Sequence, residues 1–237
     1  MLTGAYNFRD LGGLRTADGR AVRSGALFRS DTLQALTGDD VAIVRDRLGV
    51  ELVVDLRAGP EAVAQGRGPL AGAGICYLNA PLPDAPVSDA DPRDQTLRFY
   101  LATLDAAGPL LATVVRTIAA MDGRPVIVHC AAGKDRTGLV TALLLRLLGV
   151  RAADVVDDYL ATAPHLPRIV ERLRTWPHYR DHMTRVPPEV YRAEEHTIRG
   201  YLRGLHEIHG GATGWARANG VGDDTIRRLR DALLVPR

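Results

Sequence analysis

A cysteine and an arginine six positions apart, in His129-Cys-Ala-Ala-Gly-Lys-Asp-Arg-Thr-Gly138, constrain this chain more than any other feature. The run before them, Arg124-Pro-Val-Ile-Val128, reads as a short buried strand. The run after them, Leu139-Val-Thr-Ala-Leu-Leu-Leu-Arg-Leu-Leu148, reads as a helix stopped by Gly149 at its C′ position. Strand, loop and helix in that order put the loop at a helix N-terminus, where free N–H groups and the macrodipole favour an anion. At this composition, His-Cys-x-x-Gly-x-x-Arg-(Ser/Thr)-Gly arises by chance in roughly five of a million such sequences. Chance is a poor explanation.

Each residue type in the loop has a task. Cys130, at a helix start beside cations, is favoured as the nucleophilic thiolate. Arg136 offers a planar fork that grips two oxygens of an oxyanion, and grips harder as a phosphoryl group flattens. Backbone N–H groups from Ala131 to Arg136 can form a nest for three phosphoryl oxygens. Ala131 and Ala132 are small enough to let the backbone close, Gly133 allows a positive φ, and Gly138 completes the run. Thr137 is expected to donate its hydroxyl to the Cys130 sulfur. His129 is expected to hold backbone around the loop rather than to move protons.

Of 30 lysines and arginines, Lys134 is the one lysine. A compact ammonium kept there, in a chain that otherwise uses arginine, suggests that a second fork beside Arg136 would clash.

A phosphate monoester suits such a loop, and its leaving oxygen needs a proton donor. Asp55 ends the strand Glu51-Leu-Val-Val-Asp55, which in a parallel sheet emerges on the same edge as Cys130. Asp135 lies inside the loop, and Asp84 and Asp89 lie in the Pro- and Asp-rich stretch 81 to 94. Two cations share the loop with Asp135 and favour its carboxylate form, so Asp55 is the expected acid.

The wider pattern is that of an α/β protein. Ala26-Leu-Phe28, Val50–Asp55 and Gly74–Asn79 read as strands. Gly38–Leu48, Pro60–Ala64, 95 to 107 and 109 to 121 read as helices. Their alternation implies a mostly parallel sheet flanked by helices, with ligands at its carboxyl edge. After residue 150 the pattern is helical: 152 to 175, 188 to 209 and 223 to 234, separated by Pro177–Pro188 and the Gly-rich 210 to 222. These helices carry no core signal of their own. They are expected to pack on the sheet and partly lid the site, within one domain spanning 1–237 (α/β core about 1–150, helical part about 151–237).

Composition narrows the partners. Net charge is +2, with arginines interleaved with acids as in Asp223-Asp-Thr-Ile-Arg-Arg-Leu-Arg-Asp231. No basic stripe results, which argues against nucleic acid. No apolar run reaches about 18 residues, so stable membrane insertion is not expected. The expectation is a cytoplasmic monomer, with export lacking a classical signal as the alternative. The seven histidines are scattered outside any ligand spacing, so no metal or cofactor is expected. Cys76, in Ile75-Cys-Tyr-Leu78, reads as a buried strand residue, and a reversible disulfide with Cys130 is the lesser reading.

The loop His129–Gly138 resembles the signature of the cysteine-dependent tyrosine phosphatase superfamily. Its Gly-Lys-Asp-Arg version is similar to the atypical bacterial branch of tyrosine/lipid phosphatases. Asn7-Phe-Arg-Asp-Leu-Gly-Gly13, Leu27-Phe-Arg-Ser-Asp31 and Val54-Asp-Leu-Arg57 resemble that family's N-terminal blocks. Asp157-Asp-Tyr-Leu160 and Gly214-Trp-Ala-Arg-Ala-Asn-Gly-Val221 resemble its C-terminal ones. The resemblance implies a tyrosine-phosphatase-like fold, a phosphocysteine intermediate on Cys130, an Arg136 clamp and an acid at Asp55. It also implies action on phosphotyrosine proteins and often on phosphoinositides, with Lys134 and Asp135 aiding recognition. Two other classes stay in play. A phospho-binding module without turnover would have lost Cys130, Arg136 or the acids, and none is lost. Arsenate reduction or sulfur transfer also uses a thiolate loop, but arsenate reduction wants nearby resolving cysteines, and Cys76 is the only other one.

Overall fold

The computed structural model describes residues 2–83, 91–183 and 188–235. Its strands are β1 (Arg9–Asp10), β2 (Ala21–Val22), β3 (Leu27–Ser30), β4 (Leu52–Asp55), β5 (Cys76–Asn79), β6 (Val126–His129) and β7 (Leu234–Val235). Five of them form a sheet in the order β1-β3-β6-β4-β5. The pairs β3–β6, β6–β4 and β4–β5 are parallel, and β1 is antiparallel at one edge. β2 and β7 make a separate small antiparallel ribbon. The apolar runs of β4 and β6 are buried throughout, as a parallel sheet covered on both faces requires.

Register decides where the chemistry gathers. Ser30 of β3 and Asp55 of β4 both pair with His129 of β6, and Asn79 of β5 pairs with Asp55. Four parallel strands therefore stop at one line, and the chain after each of them emerges at the same edge. Cys130 is the first residue past that line.

The helices are α1 (Gly38–Ala42), α2 (Gly59–Gln65), α3 (Pro92–Ala106), α4 (Gly108–Ala120) and α5 (Asp135–Leu148) in the first part. They continue with α6 (Ala152–Leu160), α7 (Leu166–Thr175), α8 (Pro177–Met183), α9 (Glu195–His209), α10 (Ala212–Ala218) and α11 (Asp223–Leu233). α1 runs into a π-helical turn, Ile43–Arg47, that ends at the expected stop. One buried cluster joins Val128 of β6 and Leu143 of α5 to Tyr201 of α9, Trp215 of α10 and Ile226 of α11. The C-terminal helices thus share the core of the sheet layer.

Several elements differ from the sequence reading. The helix expected over 152 to 175 is two, because Pro164 and Pro167 each remove an N–H donor and force a 3₁₀ turn, Ala163–His165, between α6 and α7. Pro177, read as a separator, instead opens α8, since proline is tolerated in a helix's first turn. The Gly-rich 210 to 222 holds α10, anchored by a fully buried Trp215 whose Nε1 donates to Leu104 O at 3.1 Å. Cys76 is exposed, not buried, because β5 is the sheet's edge strand. It also sits at the opposite end of the strands from Cys130. Leu52 pairs with both Cys76 and Val126, so Cys130 lies about 13 Å further along the strand direction, beyond disulfide reach. No single helix among the described residues is long and apolar enough to cross a membrane. Asp84 and Asp89 lie outside the described residues.

Candidate active site

β6 delivers Cys130 to the carboxyl edge, and α5 begins at Asp135. The loop between them is held from outside by its carbonyls. Thr32 N donates to Ala131 O at 2.9 Å, and Gly138 N donates to Lys134 O at 2.8 Å. Gly133 O accepts from Arg29 Nη2 at 2.7 Å and from Asn7 Nδ2 at 3.1 Å. The backbone N–H of Gly133 is turned to the inner side of the loop, where it donates to Cys130 Sγ at 3.3 Å. Gly133 has φ +67°, and a Cβ there would lie 2.5 Å from Ser30 O. No side chain fits that position.

A buried ionic cluster supports the loop from below. Arg9 Nε and Arg29 Nη1 both donate to Asp158 of α6, at 2.7 and 2.5 Å. Asn7, Arg9, Arg29 and Asp158 come from three of the blocks singled out in the sequence; Asn7 and Arg29 bond the Gly133 carbonyl, while Asp158 holds Arg29 and Arg9.

Above Cys130 lies a cavity of about 70 Å³, floored by Cys130, Asp135 and Arg136. Tyr179 and Met183 of α8 and Tyr191 help to roof it. Arg136 donates to Glu61 of α2, Nη1 to Oε2 at 2.6 Å and Nη2 to Oε1 at 3.1 Å. Tyr179 OH donates to the same Oε1 at 2.8 Å. Burial pushes the Glu61 carboxyl upward, but the charge and hydrogen bonds of Arg136 outweigh it and the net shift is down. The same surroundings hold the Tyr179 phenol well above its usual range, burial first and then the Glu61 charge.

A thiol and a guanidinium meeting at a helix start, under a lid, is an arrangement built for an oxyanion. The model of the family described as "Tyrosine phosphatase family" matches residues 1–235. The chain belongs to the tyrosine phosphatase family. It is similar to the "Triple specificity protein phosphatase PtpB" of Mycobacterium tuberculosis, at 31% identity over 98% of both chains. It is also similar to a "Tyrosine-protein phosphatase" of Nostoc commune, at 30% identity over 89% of this chain and 74% of that one.

Within this phosphatase the expected site residues divide. Cys130, Ala131, Ala132, Asp135 and Arg136 all line the cavity. Asp55 does not. It is fully buried and accepts from Arg57 Nε at 2.9 Å, Arg57 Nη2 at 2.5 Å and Tyr77 OH at 2.7 Å. Burial alone would raise its carboxyl, but the charges of His129 and Arg57 bring it down to about 2. Its carboxyl is thus taken by Arg57 and Tyr77 and is not among the groups that line the cavity, against the expectation of Asp55 as the acid. Asp135 is the carboxylate of the loop that keeps access to the cavity, with 27% of its side chain exposed.

Lys134 is likewise corrected. Its side chain is buried, and Nζ bonds to Val190 O, to Arg192 O at 3.1 Å and to Asp135 Oδ1 at 3.1 Å. It ties the loop to the roof and is not among the cavity's lining residues. Thr137 Oγ1 is buried without a hydrogen-bond partner among the described residues, so the expected bond to the sulfur is not made. Gly138 serves packing, since a Cβ there would sit 3.0 Å from the Tyr159 ring. His129 behaves as expected: Nδ1 lies 3.2 Å from Cys130 O and Nε2 lies 3.7 Å from Asp55 Oδ1. Burial lowers its imidazole below the usual range, against the pull of the Asp55 carboxylate.

Sequence reasoning missed Glu61 as a partner of Arg136 and missed Tyr179 altogether. Their link spans 118 residues and no local pattern encodes it. Glu61 did carry a signal, being a buried acid in the first turn of α2 just after Arg57.

Proposed function

We propose that the protein hydrolyses phosphate monoesters through a phosphocysteine on Cys130, with phosphotyrosine as its main substrate. The observation that carries this reading is the meeting of Cys130, Asp135 and Arg136 on the floor of one cavity. The Cys130 sulfur attacks phosphorus in line, the bond to the leaving oxygen breaks, and Asp135 gives that oxygen its proton. The backbone N–H groups of the loop and the Arg136 guanidinium meet the equatorial oxygens, whose charge is greatest in the transition state. Glu61 takes two of the five N–H groups of Arg136 and fixes its plane, so the fork is pre-oriented. Water then attacks the phosphocysteine, Asp135 takes a proton from it, and phosphate leaves.

Phosphotyrosine is favoured by the walls. Phe99, Leu173, Tyr179, Met183 and Tyr191 are apolar or aromatic, and they suit an aryl ring better than a polyol. A phosphoinositide is the second substrate class; it would offer its phosphate to the same floor but would gain little from these walls. The cavity, about 70 Å³, is tight beneath Tyr179 and Met183, and α8 is expected to move as the aryl ring enters.

The test is Cys130→Ser. It should lose turnover on a phosphotyrosine peptide while still binding it, because the loop and Arg136 remain. Phosphate release by this variant near the wild-type rate would exclude the covalent route. A panel of phosphotyrosine peptides and phosphoinositides on the wild-type enzyme should show higher kcat/KM on the peptides, and the reverse order would overturn the assignment.

A further inference from the structure

Behind Asp135 lies a chain of hydroxyls that the reaction as written does not use. Tyr100 of α3 is fully buried, and its OH donates to Asp135 Oδ1 at 3.1 Å. The OH of Tyr159, on α6, lies 3.1 Å from Tyr100 OH. Each phenol has one proton. Tyr100 spends its own on Asp135, so Tyr159 must be the donor to Tyr100. Burial, first, and the nearby Asp135 charge hold Tyr100 well above the usual phenol range, and Tyr159 is raised for the same reasons. Both stay protonated wherever the enzyme works.

The rings are as fixed as the hydroxyls. Tyr100 meets Tyr159 and Tyr201 edge to face, with centroids 6.4 and 5.8 Å apart, and all three are buried. Tyr100 cannot turn away without opening this cluster.

Asp135 Oδ1 also faces a cation, since Lys134 Nζ lies 3.1 Å from it as an ion pair. A hydroxyl donor and an ammonium charge on one carboxyl oxygen disfavour a proton there. We propose that Tyr100 is a positioning residue for the reaction: by donating to Oδ1 it assigns the acid proton of Asp135 to Oδ2 and fixes the plane of the carboxyl, with Tyr159 orienting Tyr100 in turn. The inference rests on the reading of Asp135 as the acid. When Oδ2 releases its proton to the leaving oxygen, negative charge appears on a carboxylate that already accepts from Tyr100 and pairs with Lys134. Hydrogen bonds to an ionised acceptor are the stronger kind, so the tyrosine's contribution grows as the proton departs. Tyr100 therefore makes Asp135 both better aimed and more willing to give.

Other charges face this group and must stay constant in a test. Lys134 touches Asp135 directly, Arg136 shares the cavity floor, and Arg29 and Glu194 act on Tyr159. None is altered by removing a phenolic oxygen.

The experiment compares wild type, Tyr100→Phe, Tyr159→Phe and Asp135→Ala, using phenyl phosphate and the activated 4-nitrophenyl phosphate across pH. Tyr100→Phe should lower kcat on phenyl phosphate about tenfold and on 4-nitrophenyl phosphate far less. The limb on which kcat falls with rising pH should move up, because removing the hydroxyl takes a donor from the carboxylate form. Tyr159→Phe should shift the same limb the same way by less, and it serves as the second variant should Tyr100→Phe fold poorly by circular dichroism. Folded Tyr100→Phe or Tyr159→Phe enzymes with wild-type pH profiles and leaving-group ratios would overturn the proposal. If Asp135→Ala itself shows no leaving-group dependence, the acid assignment fails instead. The two failures are thus distinguishable.

Discussion

Glu61 and Arg136 are 75 residues apart in the chain and joined by two hydrogen bonds, at 2.6 and 3.1 Å, with both side chains buried. The pair locks α2 to the first turn of α5. Taking away one partner strands the other charge in a dry place. Glu61→Ala is therefore expected to cost about 3–5 kcal/mol of stability, read as a lower urea midpoint at unchanged m-value. Glu61→Gln should cost less, and should raise KM for a phosphotyrosine peptide because the guanidinium plane is no longer fixed. A loss below about 1 kcal/mol for Glu61→Ala would mean that water reaches the pair and that it behaves as a surface bridge.

Tyr179 fastens the lid to that same carboxylate. Its hydroxyl donates to Glu61 at 2.8 Å, and the ring closes over a Cys130 that is 2% exposed. Tyr179→Phe keeps the ring and removes the latch, worth about 1.5–3 kcal/mol for a bond to a charged group. α8 should then open more often, and iodoacetate should alkylate Cys130 several-fold faster than in wild type. An unchanged alkylation rate would show that the hydroxyl does not hold the lid shut.

The sequence was most legible where structure is local. The strand, loop and helix around Cys130 follow from Val126-Ile-Val, the loop residues and the apolar run after Gly138, and each stands where its pattern puts it. The parallel sheet follows from the alternation of β-branched runs with helical spacing. What could not be read is direction. Asp55 at a strand end and Lys134 inside the loop are the residue types an active site needs, yet Arg57 and Tyr77 claim one and the carbonyls of Val190 and Arg192 claim the other. Those partners are set by tertiary packing, to which a local pattern is blind. Pro164 and Pro177 were visible as breakers, but whether a proline ends a helix or opens one depends on which side the packing face continues.

Lys134 bears on specificity in a direction opposite to the one its charge suggests. With Nζ spent on two backbone carbonyls and on Asp135, it offers nothing to a second phosphate. Lys134→Met should leave those acceptors unsatisfied and cost about 1–3 kcal/mol of stability. Activity should fall by similar factors on a phosphotyrosine peptide and on a multiply phosphorylated inositide. A selective loss on the inositide would return Lys134 to a direct role in recognition.

Asp31, just past β3, gives a pH dependence of unusual sign. Burial pushes its carboxyl up to about 6, against the backbone N–H of Asn7, which donates to Oδ1 at 2.9 Å. Oδ2 has no hydrogen bond among the described residues, and Arg172 Nη1 stands off at 3.7 Å. Between the open-chain value near 3.9 and about 6, the unfolded chain has lost this proton while the fold still holds it. The unfolded state binds fewer protons there, so the Asp31 contribution makes stability fall as pH rises, by about 3 kcal/mol in all. Asp55 and Glu61 are shifted down and act the other way, Asp55 between about 2 and 4, and His129, shifted down by burial, also acts the other way on its own acid side. Those groups are common to wild type and Asp31→Asn, so the difference between the two isolates Asp31. Urea unfolding at pH 4 and pH 7 should show Asp31→Asn gaining on wild type by about 2–3 kcal/mol over that interval. A constant difference between the two proteins from pH 4 to 7 would place the Asp31 proton outside this window and remove the case for a buried charge beneath the loop.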